Sequence, residues 1–323
     1  MAMEQSPQPI SADWGPGVSA NGVAEVYTLD GPNMTLAQTQ GGLVSTWDLL
    51  IPGSYAEFGE HTDLLFYDRS AGTGTFLTTD MDGSLQLMKW HKGWRTSWAQ
   101  IVSGNFLPQP TGNNSLLFYD RTAGHGEFYV VDGKGGISLV AKHTNWRKSW
   151  ERIVPGPFLK GQTFDSLIFY DRAAGQGELY TQDGQGNISL VMKYPNWRKS
   201  WNEILTYRDF GNDINILLFY DRAAGHGEFY AVDPNNGNLL PREKHTNWRK
   251  SWDVIIPCRL SQNIMNGLLF YDRAAGHGEF YQVDNNGKLT LVAKHTNWRH
   301  TWHAIAAGTF VGIGEPSLLF YQR

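Results

Sequence analysis

The sequence contains a single cysteine, Cys258, in 323 residues, so no disulfide can form within the chain. A disulfide-rich scaffold is therefore excluded, and a reducing compartment is compatible with the composition. No apolar stretch approaches the roughly 18 residues of a membrane-spanning helix. The N-terminal segment has neither the basic nor the apolar region of a secretory signal. We therefore expect no membrane insertion, and a protein that is cytoplasmic or exported without a recognisable signal peptide.

Positive charge is also scarce. The chain has 27 lysines and arginines against 31 aspartates and glutamates, a net charge of −4 with neutral histidines, and the basic residues form no run. A general nucleic-acid binder needs a basic face, so this class is disfavoured. Aromatic residues are plentiful instead: 13 Trp, 14 Tyr and 16 Phe. Most recur in register, which indicates that they pack the cores of repeated units.

A hexapeptide that begins at Leu64 returns five times at nearly constant spacing. It reads LLFYDR, LIFYDR or LLFYQR, and successive copies start 52, 51, 50, 51 and 50 residues apart. The copies begin at Leu64, Leu116, Leu167, Leu217, Leu268 and Leu318. A fixed period in this range is typical of propellers, solenoids and other arrays of identical units.

Each unit contains four short apolar or aromatic runs separated by turn residues, with no helical periodicity. In the unit from Leu116 to Val154 these runs are LLFYD, EFYVV, ISLVAK and WERIV, which we call strands A, B, C and D. Four antiparallel strands repeated radially form a propeller blade. The second tryptophan of each D segment is expected in the core between blades, and we call these six residues the inner tryptophans: Trp47, Trp98, Trp150, Trp201, Trp252 and Trp302.

The two ends of the chain predict how the ring closes. The last copy, from Leu318 to Arg323, has only strand A, and the N-terminal part supplies strands B, C and D from Ala24, Met34 and Ser45. We therefore predict an all-β, six-bladed β-propeller with four antiparallel strands per blade. It closes by pairing the C-terminal strand with the N-terminal three-strand segment, which removes an open edge. Residues 21–323 form the propeller and residues 1–20 a lead-in.

The repeated polar residues concentrate on one rim of the predicted disc. If strand A lies nearest the axis, a meander places the A–B turn and the C–D loop on the same rim. The A–B turns contribute His125, His226 and His277. The C–D loops contribute Trp94, Arg95, Asn145, Trp146, Arg147, Asn196, Trp197, Arg198, Asn247, Trp248, Arg249, Asn297, Trp298 and Arg299. These are the candidate ligand-binding residues.

Two interpretations of the Asn-Trp-Arg loops are open. An indole face beside planar donors suits a sugar ring and its hydroxyls. Alternatively, the tryptophan pins the loop and the arginine stacks on it. The N-terminal segment has Leu43 and Val44 in place of Trp-Arg, which suggests that the fold tolerates the loss. The Asp-Arg pair that ends strand A is expected to lock each hairpin through a charge-assisted hydrogen bond.

The elements LLFYD, GEFY, NWRKSW and IVPG, in this order, resemble the tachylectin-2-like β-propeller lectins over residues 24–323. The resemblance implies one site for an N-acetylhexosamine-type sugar at each blade or blade junction. The expected function is then multivalent carbohydrate binding, with glycans or glycoconjugates as partners and without catalysis or a cofactor. No motif with metal-ligand spacing is present, so no metal is expected.

Two alternatives belong to other classes. The first is a cofactor-independent enzyme with a single small-molecule site at the mouth of the axial channel, formed where the repeat symmetry breaks. The symmetry breaks are Thr73, Trp90, His91, Gln176, Tyr194, Pro195, His300, His303 and Gln322. The second is a protein-interaction propeller. The sequence favours the lectin over an enzyme.

Overall fold

The computed structural model describes residues 19–57, 61–109, 114–209 and 214–323, and the backbone of residues 8–9. Most of the predicted lead-in therefore lies outside the described residues. The strands are β1 (Gln8–Pro9), β2 (Gly22–Asp30), β3 (Asn33–Leu43), β4 (Leu49–Gly53), β5 (Asp63–Asp68), β6 (Thr73–Thr79), β7 (Leu85–His91), β8 (Trp98–Gly104), β9 (Ser115–Asp120), β10 (His125–Val131), β11 (Ile137–His143), β12 (Trp150–Gly156), β13 (Ser166–Asp171), β14 (Gln176–Gln182), β15 (Ile188–Tyr194), β16 (Glu203–Asp209), β17 (Ile214–Asp221), β18 (His226–Val232), β19 (Leu239–His245), β20 (Val254–Cys258), β21 (Gly267–Asp272), β22 (His277–Val283), β23 (Leu289–His295), β24 (Trp302–Val311) and β25 (Glu315–Gln322).

The strands form six blades of four antiparallel strands in a ring, which confirms the predicted six-bladed β-propeller. Blades 1 to 5 are β4–β7, β8–β11, β12–β15, β16–β19 and β20–β23. Blade 6 consists of β24, β25, β2 and β3, and β1 adds a short parallel pairing to the outer edge of β3. Within the described part of the chain, no helix has the length and apolar character needed to cross a membrane.

The order of strands within a blade differs from the expected one. Strand D of each repeat, not strand A, lies nearest the axis, because β12 neighbours β8 and β16 around the ring. Strand A is second, and every residue of β5, β9, β13 and β21 is buried. A strand buried on both faces and paired on both edges cannot line a channel. The continuous apolar run of strand A therefore marks a central strand.

This order changes the closure in one respect. The C-terminal strand β25 pairs with the N-terminal strand β2, as predicted. The expectation that all three N-terminal strands join the closing blade was wrong, because β4 pairs with β5 and starts blade 1. Two strands from each end close the ring. Each C–D loop is consequently the link from the outer strand of one blade to the inner strand of the next.

The apolar cores lie between neighbouring blades. One cluster joins Tyr119 and Phe128 of blade 2 to Trp150 and Phe169 of blade 3. The inner tryptophans of all six blades are buried, with 1–4% of their surface exposed, which confirms their predicted core role. The blades are thus held to one another by burial of flat aromatic surfaces, with ring edges packed on ring faces.

One hydrogen bond recurs at all six junctions and anchors the link between blades. The tyrosine near the end of strand A donates its hydroxyl to the backbone carbonyl at the arginine position of the C–D loop. Tyr170 donates to Arg198 at 2.7 Å, and Tyr321 in blade 6 donates to Val44 at 2.5 Å. This bond survives where the loop has lost its Trp-Arg pair, so it supports the fold itself.

We expect Tyr170→Phe to destabilise the protein by about 1 kcal/mol, because a half-buried carbonyl loses its donor while packing is retained. The measurement is the shift of the urea midpoint followed by tryptophan fluorescence, at an unchanged slope. An unchanged or higher midpoint would contradict this role of the hydroxyl.

Candidate functional site

The A–B turn and the C–D loop lie on the same rim, as the sequence predicted. The backbone N–H of Trp146 donates to the carbonyl of Gly124 at 2.9 Å, so the loop rests on the turn of its own blade. The same bond forms at Trp94, Trp197, Trp248 and Trp298. We call this the turn rim.

The indole of each loop lies flat on the second glycine of the A–B turn. A Cβ added to Gly126 would stand 2.4 Å from the ring of Trp146, so any side chain here would displace the indole. Blade 6 shows the complementary pair: Ala24 occupies the glycine position and Leu43 the tryptophan position. The tryptophan and the glycine were therefore lost together, as expected of two groups in contact.

The loop arginines form ion pairs with buried glutamates in strand B of the next blade. Nη2 of Arg147 lies 2.6 Å from Oε1 of Glu178, and only about 2% of Glu178 is exposed. Five junctions carry this bond: Arg95–Glu127, Arg147–Glu178, Arg198–Glu228, Arg249–Glu279 and Arg299–Glu25. Each guanidinium also stacks on the inner tryptophan of the next blade, as Arg147 does on Trp150 at 4.7 Å.

The sixth junction, between blades 6 and 1, lacks both partners. Val44 replaces the arginine and Thr75, which is fully buried, replaces the glutamate. Thr73 also replaces the turn histidine. The absence of Trp-Arg at this junction is therefore not evidence that Trp-Arg binds a ligand at the other junctions. It shows that a buried glutamate and its arginine disappear together, because either one alone would leave an unpaired charge.

The glutamate at the junction of blades 1 and 2 is held ionised by its partners. At Glu127, burial alone would raise the carboxyl pKa, but hydrogen bonds from Tyr129, Lys142 and Arg95 outweigh it, so the pKa lies below its usual value. Because the folded-state pKa is the lower one, this carboxylate stabilises the fold above about pH 4.3. That contribution is lost as the pH falls through the folded-state pKa.

The turn histidines meet the arginine of the preceding blade. Nδ1 of His277 lies 2.8 Å from Arg249, that of His226 lies 3.1 Å from Arg198, and that of His125 lies 3.4 Å from Arg95. Since a guanidinium can only donate, the histidine nitrogen accepts. The structure thus brings the predicted tryptophan, arginine and histidine together, in pairs of adjacent blades.

Cavities lie beside three of the Asn-Trp-Arg loops. Their volumes are about 230, 510 and 330 Å³ at the junctions of blades 2 and 3, 3 and 4, and 4 and 5. Their walls include Asn145, Asn196 and Asn247. Asn297, in the fifth Asn-Trp-Arg loop, is exposed on the turn rim. Whether any of the predicted residues also contacts a ligand stays a prediction.

Only the aspartate of the Asp-Arg pair holds its own hairpin, through the A–B turn, and the arginine reaches the next blade. Asp120 accepts hydrogen bonds from Ser97 of the preceding loop, at 2.7 Å, and from the backbone of Ala123. Arg121 donates to the carbonyl of Trp150 in the next blade, at 2.8 Å. Adjacent residues on a strand point to opposite faces, so each side chain reaches a different neighbour.

A second candidate site is the mouth of the axial channel on the turn rim, where the repeat symmetry breaks. The residue after each inner tryptophan differs from blade to blade, although its surroundings repeat. In blades 1 to 6 it is Asp48, Ala99, Glu151, Asn202, Asp253 and His303. One position further along β12 and β16, Arg152 and Glu203 form an ion pair across the inner strands, at 2.8 Å.

His303 has the most distinctive surroundings at this mouth. Nη2 of Arg323 lies 3.0 Å from Oδ1 of Asp48, and Nη2 of Arg273 lies 3.4 Å from the carbonyl oxygen of His303. Burial lowers the pKa of His303 and the positive charge of Arg323 lowers it further, which outweighs the opposing effect of Asp48. The imidazole is therefore neutral at pH 7.

Sequence reasoning found His303 as a break in symmetry but missed its neighbours. Asp48, Glu151 and Asp253 were overlooked because strand A was placed at the axis. The sequence did contain a signal for them: the inner tryptophan is the same in all six repeats, whereas the residue after it varies. Among the described residues, no three histidine, cysteine or carboxylate side chains are close enough to hold a metal ion.

Comparison with known proteins identifies proteins that resemble this chain in fold and not in sequence. No family model and no curated protein matches the chain. It is similar to a periplasmic gluconolactonase from Pseudomonas aeruginosa at 14% identity and a TM-score of 0.53, covering 96% of this chain and 82% of that one. It is also similar to a candidate 6-phosphogluconolactonase from Bacteroides uniformis, at 11% identity and a TM-score of 0.54, covering 88% and 86%.

The prediction of a multivalent, sugar-binding lectin was wrong. The two similar solved structures reported above are named for lactone enzymes and not for lectins. The residues chosen for the lectin sites have a structural explanation as well. The tryptophans, arginines and histidines among them repeat together with the contacts that they make at the junctions between blades.

We expect Glu228→Gln to destabilise the protein by about 2 kcal/mol, because Arg198 and Lys244 would face a buried neutral amide. The double variant Arg198→Val with Glu228→Thr copies the junction between blades 6 and 1. It should cost less than the sum of its two single substitutions, as a double-mutant cycle by thermal unfolding would show. Strictly additive losses would contradict the coupling.

Proposed function

We propose that the protein is an enzyme with one small-molecule site at the axial mouth on the turn rim, and that it hydrolyses a cyclic ester. The observation that carries this proposal is the surroundings of His303. It is a neutral imidazole beside Arg323 and Arg273, at the position where the repeat loses its symmetry. A single asymmetric site on a repeated scaffold fits one bound substrate and does not fit multivalent binding.

The chemistry of lactone hydrolysis matches these groups. A neutral imidazole can take a proton from water as the water oxygen attacks the lactone carbonyl carbon. The negative charge that develops on the carbonyl oxygen is stabilised by Arg323 and Arg273. When the ring C–O bond breaks, the imidazolium returns its proton to the leaving oxygen. The product is a hydroxy acid, and His303 is neutral again, so the reaction consumes one water and needs no redox partner.

The carboxylates at the mouth have a positioning role in this scheme. Asp48 accepts the backbone N–H of Arg69 at 2.7 Å as well as the side chain of Arg323. Asp253 accepts the backbone N–H of Arg273 at 2.8 Å. Both hold an arginine-bearing turn in place, and both come from blades adjacent to blade 6, so they flank His303. The names of the similar solved structures support lactones as the substrate class.

The direct test is hydrolysis of D-glucono-δ-lactone and of an aromatic lactone, followed by acid release against the spontaneous rate. We expect His303→Ala to lower kcat by about 100-fold or more, the usual contribution of a general base. Lys250→Gln is the control, because Lys250 is exposed at the equivalent loop position of another blade, is not a symmetry break and should leave the rate unchanged. A rate no greater than that of buffer, or equal rates for His303→Ala and the unaltered protein, would refute the proposal.

The pH dependence gives a second prediction. Since His303 must be neutral to act as a base and its pKa lies below the ordinary value of about 6.5, kcat/KM should rise with pH and level off by neutrality. Arg323→Gln removes a positive charge beside the imidazole and should move the midpoint of the rise to higher pH. A midpoint that moves to lower pH, or not at all, would argue against His303 as the base.

A further inference from the structure

A separate cavity of about 300 Å³ lies at the opposite end of the inner strands from His303. Tyr207 of β16, Cys258 of β20 and Gly308 of β24 line it. It therefore belongs to blades 4, 5 and 6, on the rim away from the histidine and arginine turns. Nothing in the proposed reaction uses it.

The cavity lies where the repeat changes at the end of strand D. In blades 1, 2 and 3 this strand ends in glycine, and an aromatic ring two residues later packs directly on it. A Cβ added to Gly104 would stand 2.6 Å from the ring of Phe106. In blade 5, Cys258 takes the place of the glycine and Leu260 the place of the ring. A smaller covering side chain leaves room beside it.

Arg259 gives this cavity a positive charge. Among the described residues that line the cavity it is the one charged side chain. Its guanidinium donates to two neutral acceptors, the carbonyl of Gly314 at 3.3 Å and Oε1 of Gln262 at 2.9 Å. Its Nε is buried without a hydrogen-bond partner. A half-buried guanidinium whose hydrogen-bond partners are both neutral favours an anion.

The remaining walls are mainly apolar, and include Pro257, Met265 and Ala307. We propose that this cavity binds a monocarboxylate with a short hydrocarbon body. The carboxylate pairs with Arg259, and the hydrocarbon lies against Met265 and Ala307. Arginine recognises a carboxylate through paired hydrogen bonds. A cavity at the small end of the range for ligand sites holds a chain of about six to eight carbons.

Cys258 provides a reporter inside the cavity. It is the only cysteine of the chain, and 7% of its surface is exposed. Burial raises the pKa of its thiol to about 12, so alkylation is slow and depends on access. The probe is sodium hexanoate. We expect it to slow alkylation of Cys258 by iodoacetamide in a saturable manner, and the same Kd should appear in isothermal titration calorimetry.

Three protein variants and a second ligand test whether Arg259 binds the carboxylate. Arg259→Gln should weaken hexanoate binding about tenfold or more, since it removes a charge-assisted hydrogen-bond pair, and Arg259→Lys should restore part of the affinity. Arg242→Gln is the control, because Arg242 lies on outer strand β19 far from the cavity and should leave Kd unchanged. Hexanol, which has the same hydrocarbon body without the charge, should bind more weakly than hexanoate.

The proposal fails if hexanoate neither slows alkylation nor produces a heat of binding, or if Arg259→Gln and Arg242→Gln bind it equally. It also fails if hexanol binds as well as hexanoate, because the charge would then play no part. His303→Ala leaves this cavity intact and should not change the hexanoate Kd. The cavity and the axial reaction can therefore be refuted independently of each other.

Discussion

The ion pair between a loop arginine and a buried glutamate of the next blade is the contact on which the ring depends. It occurs at five of the six junctions, where the arginine also stacks on the inner tryptophan, and at three of them the arginine donates to a turn histidine. A propeller has no single core, so its blades stay in register through contacts between neighbouring blades, and this ion pair is a charged one among them. Burying a carboxylate is unfavourable without a partner. The arrangement therefore specifies how blades pair as well as how strongly they hold together.

The sixth junction shows how the ring tolerates an exception. Between blades 6 and 1, an apolar and a hydroxyl side chain, Val44 and Thr75, replace the ionic pair. The side-chain amide of Gln40 donates to the carbonyl of Leu85 at 3.0 Å and accepts its N–H at 2.6 Å. At four of the other five junctions a histidine or tyrosine at this position bonds a glycine carbonyl instead. This junction lies next to the seam where the two ends of the chain meet. While the ring closes during folding, a neutral junction can form without burying a charge in an interface that is still incomplete.

Function is best sought where the repeat fails, because repeated contacts are explained by the repeated fold. At the axial mouth on the turn rim, the repeat breaks at the position after the inner tryptophan, which is occupied by His303 and three carboxylates. At the opposite end of the inner strands, the repeat breaks at Tyr207 and Cys258, next to Arg259. The two places differ in character: one gathers titratable groups around the axis, and the other joins a single cation to an apolar wall.

The repeat period, the blade number and the pairing of β25 with β2 followed from the sequence, because the incomplete last unit needs the N-terminal strands. The number of strands that each chain end contributes did not follow, since it depends on which strand lies nearest the axis. The common rim of Trp146 and Gly124 followed from meander geometry alone. Sequence could not reveal that strand D lines the channel, although the unbroken apolar run of strand A pointed to a central position. Nor could it pair Arg147 with Glu178. Such partners lie on different blades, and only the packing of one blade against the next decides which side chains meet.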